Sequence, residues 1–129
     1  GDVYKRQVIL YRHLRPEEDP EKGLTAKDPT ANISIEDHVL HGSSPDVKSK
    51  YISCSETLSA ARQFASKSYN KERIVKIEID KNTPGIIDII PLSDANKEWT
   101  DTGRNFSNIC EEVLVVGKIP KECITLLSN

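Results

Sequence analysis

The stretch that most constrains the fold is Lys50–Tyr69, KYISCSETLSAARQFASKSY. Its first residues read as a short strand, Lys50–Cys54, which turns at Ser55 directly into a helix. Leu58, Ala61, Phe64 and Ala65 fall at helical spacing and form one apolar face. Ser55 or Thr57 suits the N-cap, Glu56 stands in the first turn and Lys67 in the last, so the charges complement the helix dipole. Two hydroxyls, Ser53 and Ser55, therefore stand where a strand ends and a helix begins. They serve either as caps or to orient a ligand or another side chain.

Other strands announce themselves by alternation. In Val8–Leu14, VILYRHL, residues Val8, Leu10, Arg12 and Leu14 share one face. Arg12 is thus a cation in an apolar row, and a desolvated guanidinium requires an anionic partner. That partner is either a carboxylate of this chain or a bound phosphate or carboxylate. Arg73–Asp80 alternates Val75, Ile77 and Ile79 with Lys76, Glu78 and Asp80, the pattern of a half-solvated strand. Asn82–Gly85 is a turn, and Gly85–Ile90 a short apolar strand. Glu111–Val116, EEVLVV, is apolar on both faces after its first two residues, as expected of a central strand that ends at Gly117. Glu112 shares a face with Leu114 and Val116, whereas Glu111 points the other way. A carboxylate at the mouth of a buried strand is either paired with a base or placed for chemistry. Cys123–Leu127 closes the chain as a last strand.

Between these strands, Arg15–Asn32 carries three prolines and many charges and reads as a long loop. Ile33–Leu40 has the offsets of a short helix. His38 and His41 stand three apart with no third ligand nearby, which argues against a metal centre. Pro91–Ile109, which holds the only tryptophan, Trp99, reads as a polar helix or loop flanking a cleft.

Composition excludes several classes. The 129 residues suffice for one core, and a net charge of −2 offers no nucleic-acid surface. No apolar run reaches the length of a membrane span and no secretory segment is visible, so neither a membrane nor a nucleic acid is an expected partner. Three cysteines without CxxC spacing indicate neither a disulfide framework nor zinc, and favour a reducing, cytosolic site of action. Gly1–Gln7, GDVYKRQ, resembles an adapter-derived leader and is set outside the expected single domain of residues 8–129. The domain is expected to belong to a larger polypeptide.

Three features stand in order: Tyr11-Arg12 on the first strand, Ser53-Cys54-Ser55 at a strand end before a helix, and Glu112-Val113-Leu114-Val115 opening a late apolar strand. This order resembles the arginine–serine–glutamate class of mono-ADP-ribosyltransferases, a group that includes bacterial toxins and vertebrate ecto-enzymes. The resemblance covers most of Val8–Leu127. It implies an α+β fold of two packed, mostly antiparallel sheets with flanking helices around a nicotinamide adenine dinucleotide (NAD) cleft.

The resemblance also implies roles. Arg12, with Tyr11 beside it, would hold the dinucleotide phosphates. Ser53, with Ser55, would line the nicotinamide-ribose pocket, Ser53 hydrogen-bonding Glu112. Glu112 would accept a ribose hydroxyl and stabilise the charge that develops as the nicotinamide bond breaks. NAD is then a substrate, the acceptor an unknown protein or water, and no metal is called for. Arginine-modifying members carry an acidic or amide residue two positions before the glutamate. Cys110 stands there in this chain, which favours other acceptors or hydrolysis. An inactive interaction module on the same fold is the alternative. The triplet His41-Gly42-Ser43 resembles the start of the histidine–tyrosine–glutamate branch, but it follows no strand and no matching tyrosine comes later, so it is expected to be a loop.

Overall fold

The computed structural model describes residues 7–41, 48–65, 73–92 and 111–127. Among these residues, seven strands and two short helices follow in order: β1 (Val8–His13), β2 (Leu24–Thr25), α1 (Ile35–His41), β3 (Tyr51–Ser55), α2 (Leu58–Ala65), β4 (Ile74–Ile79), β5 (Ile86–Pro91), β6 (Glu112–Ile119) and β7 (Ile124–Leu127). Single 3-10 turns at Pro20–Lys22 and Lys121–Cys123 interrupt the connections. The fold is α+β. Every strand pairing is antiparallel, and the strands run β2-β6-β3-β1-β4-β7, with β5 on the other side of β6.

Alternation places the core. Leu10 and Leu14 of the first row are completely buried with Val75, Ile77 and Ile79 from β4. Ile52, Cys54, Val113 and Val115 complete the same cluster from β3 and β6. Arg12, on that row, is buried as well. On the other face, Leu114 packs with Val39 of α1 and Leu92, while Tyr11 packs with Ala61 of α2 and Ile74. The middle of the sheet is therefore covered on both sides, which is why β6 reads as a continuous apolar run.

Two local details differ from the sequence reading. Helix α1 starts at Ile35 rather than Ile33, because Ser34 is its cap: its hydroxyl accepts the Asp37 amide at 3.1 Å and its carbonyl the His38 amide at 3.0 Å. Strand β6 does not end at Gly117 but continues to Ile119. Gly117 adopts φ 111° opposite a register shift between Ile86 and Asp88, and a Cβ there would lie 2.2 Å from the Gly85 carbonyl oxygen. A glycine inside a strand here marks a bulge rather than a stop. The long loop, too, is not bare, since Leu24 and Thr25 pair with Ile119 and Lys118 of β6.

The pairing between β1 and β3 is the thinnest in the sheet. It consists of the single register pair Tyr11 and Ser55, whereas β1 meets β4 over six pairs and β3 meets β6 over five. This seam positions the site.

Candidate functional site

Ser53 stands on β3 directly opposite Leu114 of β6, and Ser55 opposite Glu112. Directly opposed residues of an antiparallel pair share a face. The Ser53 hydroxyl and the Glu112 carboxylate are therefore brought together at the head of β6, where the hydroxyl favours the ionised carboxylate. Glu112 is buried, and its Oε1 has no hydrogen-bond partner among the described residues.

Helix α1 supplies a third group. Its Val39 is seated on Leu92 and Leu114, which holds the preceding residue, His38, against β3. His38 Nε2 lies 2.5 Å from Ser53 Oγ, and His38 Nδ1 lies 2.6 Å from Ser49 Oγ. The Tyr51 amide donates to the Ser49 hydroxyl at 3.1 Å. The imidazole also meets the Tyr51 ring edge-on, with 5.4 Å between centroids. Both ring nitrogens are thus engaged by hydroxyls, which leaves His38 no lone pair for a metal.

The direction of this chain follows from its end. Above its pKa the Glu112 carboxylate is ionised and can only accept. Ser53 then turns its proton toward Glu112 and accepts from His38 Nε2–H, so Nδ1 is the bare nitrogen and Ser49 donates to it. Burial, with the cations of Arg12 and Lys27, pushes the His38 pKa down to about 4, so the ring is neutral at physiological pH and fits this arrangement. The 3.8 Å approach of His38 Nε2 to Glu112 Oε2 is accordingly not an ion pair near neutrality. Burial pushes Glu112 the other way, to about 7, against the opposing pull of the Ser53 hydrogen bond and of Arg12.

Arg12 enters from β1. Its Nη1 donates to the Ser53 carbonyl oxygen at 2.6 Å, across the seam where the β1–β3 ladder has run out. Its Nη2 donates to Glu18 Oε1 at 2.9 Å, in an ion pair whose side chains are 9% and 6% exposed. Of the two partners that the sequence left open for Arg12, the structure supplies the internal carboxylate. What remains without a partner among the described residues is Nε, a single N–H rather than a two-pronged fork. Burial pushes the Glu18 carboxyl up. Arg12, together with the Arg15 amide and guanidinium, outweighs that and holds it below the usual range.

Arg12 therefore meets Ser53 at its backbone carbonyl, while the Ser53 hydroxyl and Glu112 share a face of the sheet. Tyr11 does not join them as a polar contact; it packs, with Leu58 and Leu127, on the Ala61 and Ile74 cluster beside α2. Ser55 is buried between Tyr11 and Glu112 in register. The helix cap is Thr57, whose hydroxyl accepts the Ala60 amide at 3.1 Å and donates to Glu111 Oε2 at 2.8 Å. Cys54 faces the core, where burial pushes its thiol up to about 12, so it is no nucleophile. Cys110, Trp99 and most of the His41-Gly42-Ser43 triplet lie outside the described residues.

Sequence reasoning missed His38, Ser49 and Glu18 as site residues. Cations gather nearby too. The Asp28 amide donates to the Ser49 carbonyl at 3.0 Å, which sets Lys27 next to Lys48. Burial, followed by the charges of Arg15 and Lys48, lowers the Lys27 pKa.

A domain of unknown function, DUF7587, matches residues 4–126. The chain belongs to this family. No protein of curated function matches it. Thirteen solved chains are similar to this DUF7587 domain in structure. One is EcPltA, which superposes with a TM-score of 0.61 at 19% sequence identity, over 90% of this chain and 71% of its own. The DUF7587 domain thus shares the fold of EcPltA.

Proposed function

We propose that this DUF7587 domain is an NAD-cleaving enzyme of the arginine–serine–glutamate kind, which transfers ADP-ribose to a protein acceptor or to water. The observation that carries the reading is the buried carboxylate of Glu112, with one oxygen unpartnered among the described residues and the other groups of the site arranged around it. Leaving a buried acceptor unmet costs about 1–3 kcal/mol, and more for a charged group. Such an oxygen fits a ribose hydroxyl. The fold shared with EcPltA, the Ser53 hydroxyl beside Glu112 and the contact of Arg12 with the Ser53 carbonyl support the same reading.

In this reaction the bond between nicotinamide nitrogen and ribose C1′ breaks, and its electron pair leaves with the nicotinamide. Positive charge grows on the ribose, and Glu112 stabilises it through the accepted hydroxyl. Water or an acceptor side chain then bonds to C1′ and gives up its proton. Ser53 and His38 fix the carboxylate in place. The sheet is proposed to open at the β1–β3 seam into the cleft that takes the dinucleotide, with two half-sheets about it. Lys27 and Lys48 supply positive charge for the diphosphate, to which Arg12 adds one free N–H.

The test is incubation with NAD labelled in the adenylate portion. The proposal predicts label as free ADP-ribose or on protein, with nicotinamide released in equal amount. Intact NAD after prolonged incubation with candidate acceptors contradicts it. One observation favours the inactive interaction module instead: Arg12 already spends both terminal nitrogens within the chain. Under that reading calorimetry finds no NAD binding at all.

A further inference from the structure

We infer that Glu18 is a positioning residue of the candidate site, acting through Arg12 to hold the Ser53 end of β3 beneath the Glu112 carboxylate. The acid sits in the run Glu17-Glu18-Asp19, where nothing in the sequence singles it out, yet it alone of the three is buried in an ion pair with Arg12.

Glu18 is held before it holds anything else. Its amide donates to the Arg15 carbonyl at 3.0 Å, closing a turn. The Arg73 guanidinium ties that turn from outside, donating to the carbonyls of Arg15 at 3.0 Å, of Pro16 at 3.3 Å and of Glu18 itself. Within the turn, Glu18 Oε1 accepts the Arg15 amide at 2.8 Å and Arg12 Nη2 at 2.9 Å. The guanidinium is planar, so fixing Nη2 aims Nη1. Nη1 meets the Ser53 carbonyl, and the Ser53 hydroxyl meets both His38 and Glu112. A continuous strut thus runs from Arg73 to Glu112, and it crosses the seam where β1 and β3 share only one ladder pair.

Charge travels along the same strut. Arg12 stabilises the Glu112 anion, and Glu18 offsets Arg12. Neutralising Glu18 leaves the guanidinium uncompensated, so Glu112 ionises more readily. The other charged or titratable groups packed here include Arg15, Glu17 and Arg73 about the turn, Lys27 from the segment after β2, His38 from α1 and Cys54 from β3.

The inference concerns the ligand-free protein; only its consequence for catalysis rests on the function proposed above. The experiment is carboxyl-carbon NMR titration of the whole chain, wild type and Glu18→Gln, a substitution that keeps an acceptor for Arg15 but removes the charge. In wild type the Glu112 signal should show its main midpoint near neutrality and a second inflection at the lower pH where Glu18 takes up its proton. In Glu18→Gln the second inflection should vanish and the main midpoint fall by about one pH unit. A single Glu112 inflection in wild type, at pH values where Glu18 visibly titrates, overturns the inference even if the variant does not fold. So does a folded variant with an unmoved midpoint, whatever its stability. Because neither measurement uses NAD, failure to cleave NAD counts against the enzyme reading and leaves this result standing.

Discussion

Ser53 Oγ lies 2.5 Å from His38 Nε2 and stands beside the Glu112 carboxylate, whose ionised form it favours. One hydroxyl thus couples a helix to the head of the central strand. Removing it with Ser53→Ala deprives Glu112 of a hydroxyl that lowers its pKa, so the carboxyl should titrate higher than in wild type. Where activity requires ionised Glu112, the acidic limb of a nicotinamide-release profile should move to higher pH. The rate on the plateau should fall on the order of 10²-fold or more as the carboxylate loses its anchor. A profile whose acidic limb does not move contradicts the coupling.

The opposed shifts of His38 and Glu112 predict an unusual pH dependence of stability. His38, depressed to about 4, contributes stability that is complete above its ordinary 6.5 and is lost as the pH falls through that window. Glu112, raised to about 7 from 4.5, gives the reverse sign: the folded state holds the proton more tightly, so stability rises as the pH falls from 7 to 4.5. Each amounts to about 3 kcal/mol. In wild type the two slopes offset between about pH 4.5 and 6.5. Urea denaturation of Glu112→Gln should expose the His38 slope, with stability falling toward acid. His38→Gln should expose the opposite slope. Parallel curves for the two variants contradict the assignment.

Gly117→Ala should destabilise the fold by about 3 kcal/mol. The backbone φ of 111° disfavours any side chain, and the new Cβ would strike the Gly85 carbonyl oxygen at 2.2 Å, which is backbone and has little room to yield. The Lys118 amide bonds that same carbonyl at 2.8 Å, so the clash also loosens the continuation of β6. Equilibrium unfolding in urea reads the cost. A loss below about 1 kcal/mol means the bulge is softer than its geometry implies.

The parts of this fold that were legible in the sequence are those governed by period. Alternation located β1, β4 and the apolar run of β6, and placed Arg12 on the row of Leu10 and Leu14, where it is found buried. Junction chemistry located α2, though its cap is Thr57, one of two candidates. Residues whose role depends on tertiary contact were not legible. His38 reaches Ser53 only because Val39 docks α1 onto Leu92 and Leu114. Glu18 is one of three consecutive acids, and only the turn locked by Arg73 decides among them. Two local signals could have been read further: Ser34 followed by Asp37 as a cap, and Gly117 inside an apolar strand as a bulge.

The central claim is that Glu112 drives cleavage of NAD. The direct measurement is nicotinamide release by the purified chain beside Glu112→Gln, at a pH above 7 where the wild-type carboxylate is ionised. The account predicts release by wild type and a loss on the order of 10²–10³-fold in the variant, with the variant at least as stable as wild type at that pH. Equal release from both proteins, or none from either with no NAD bound, contradicts it.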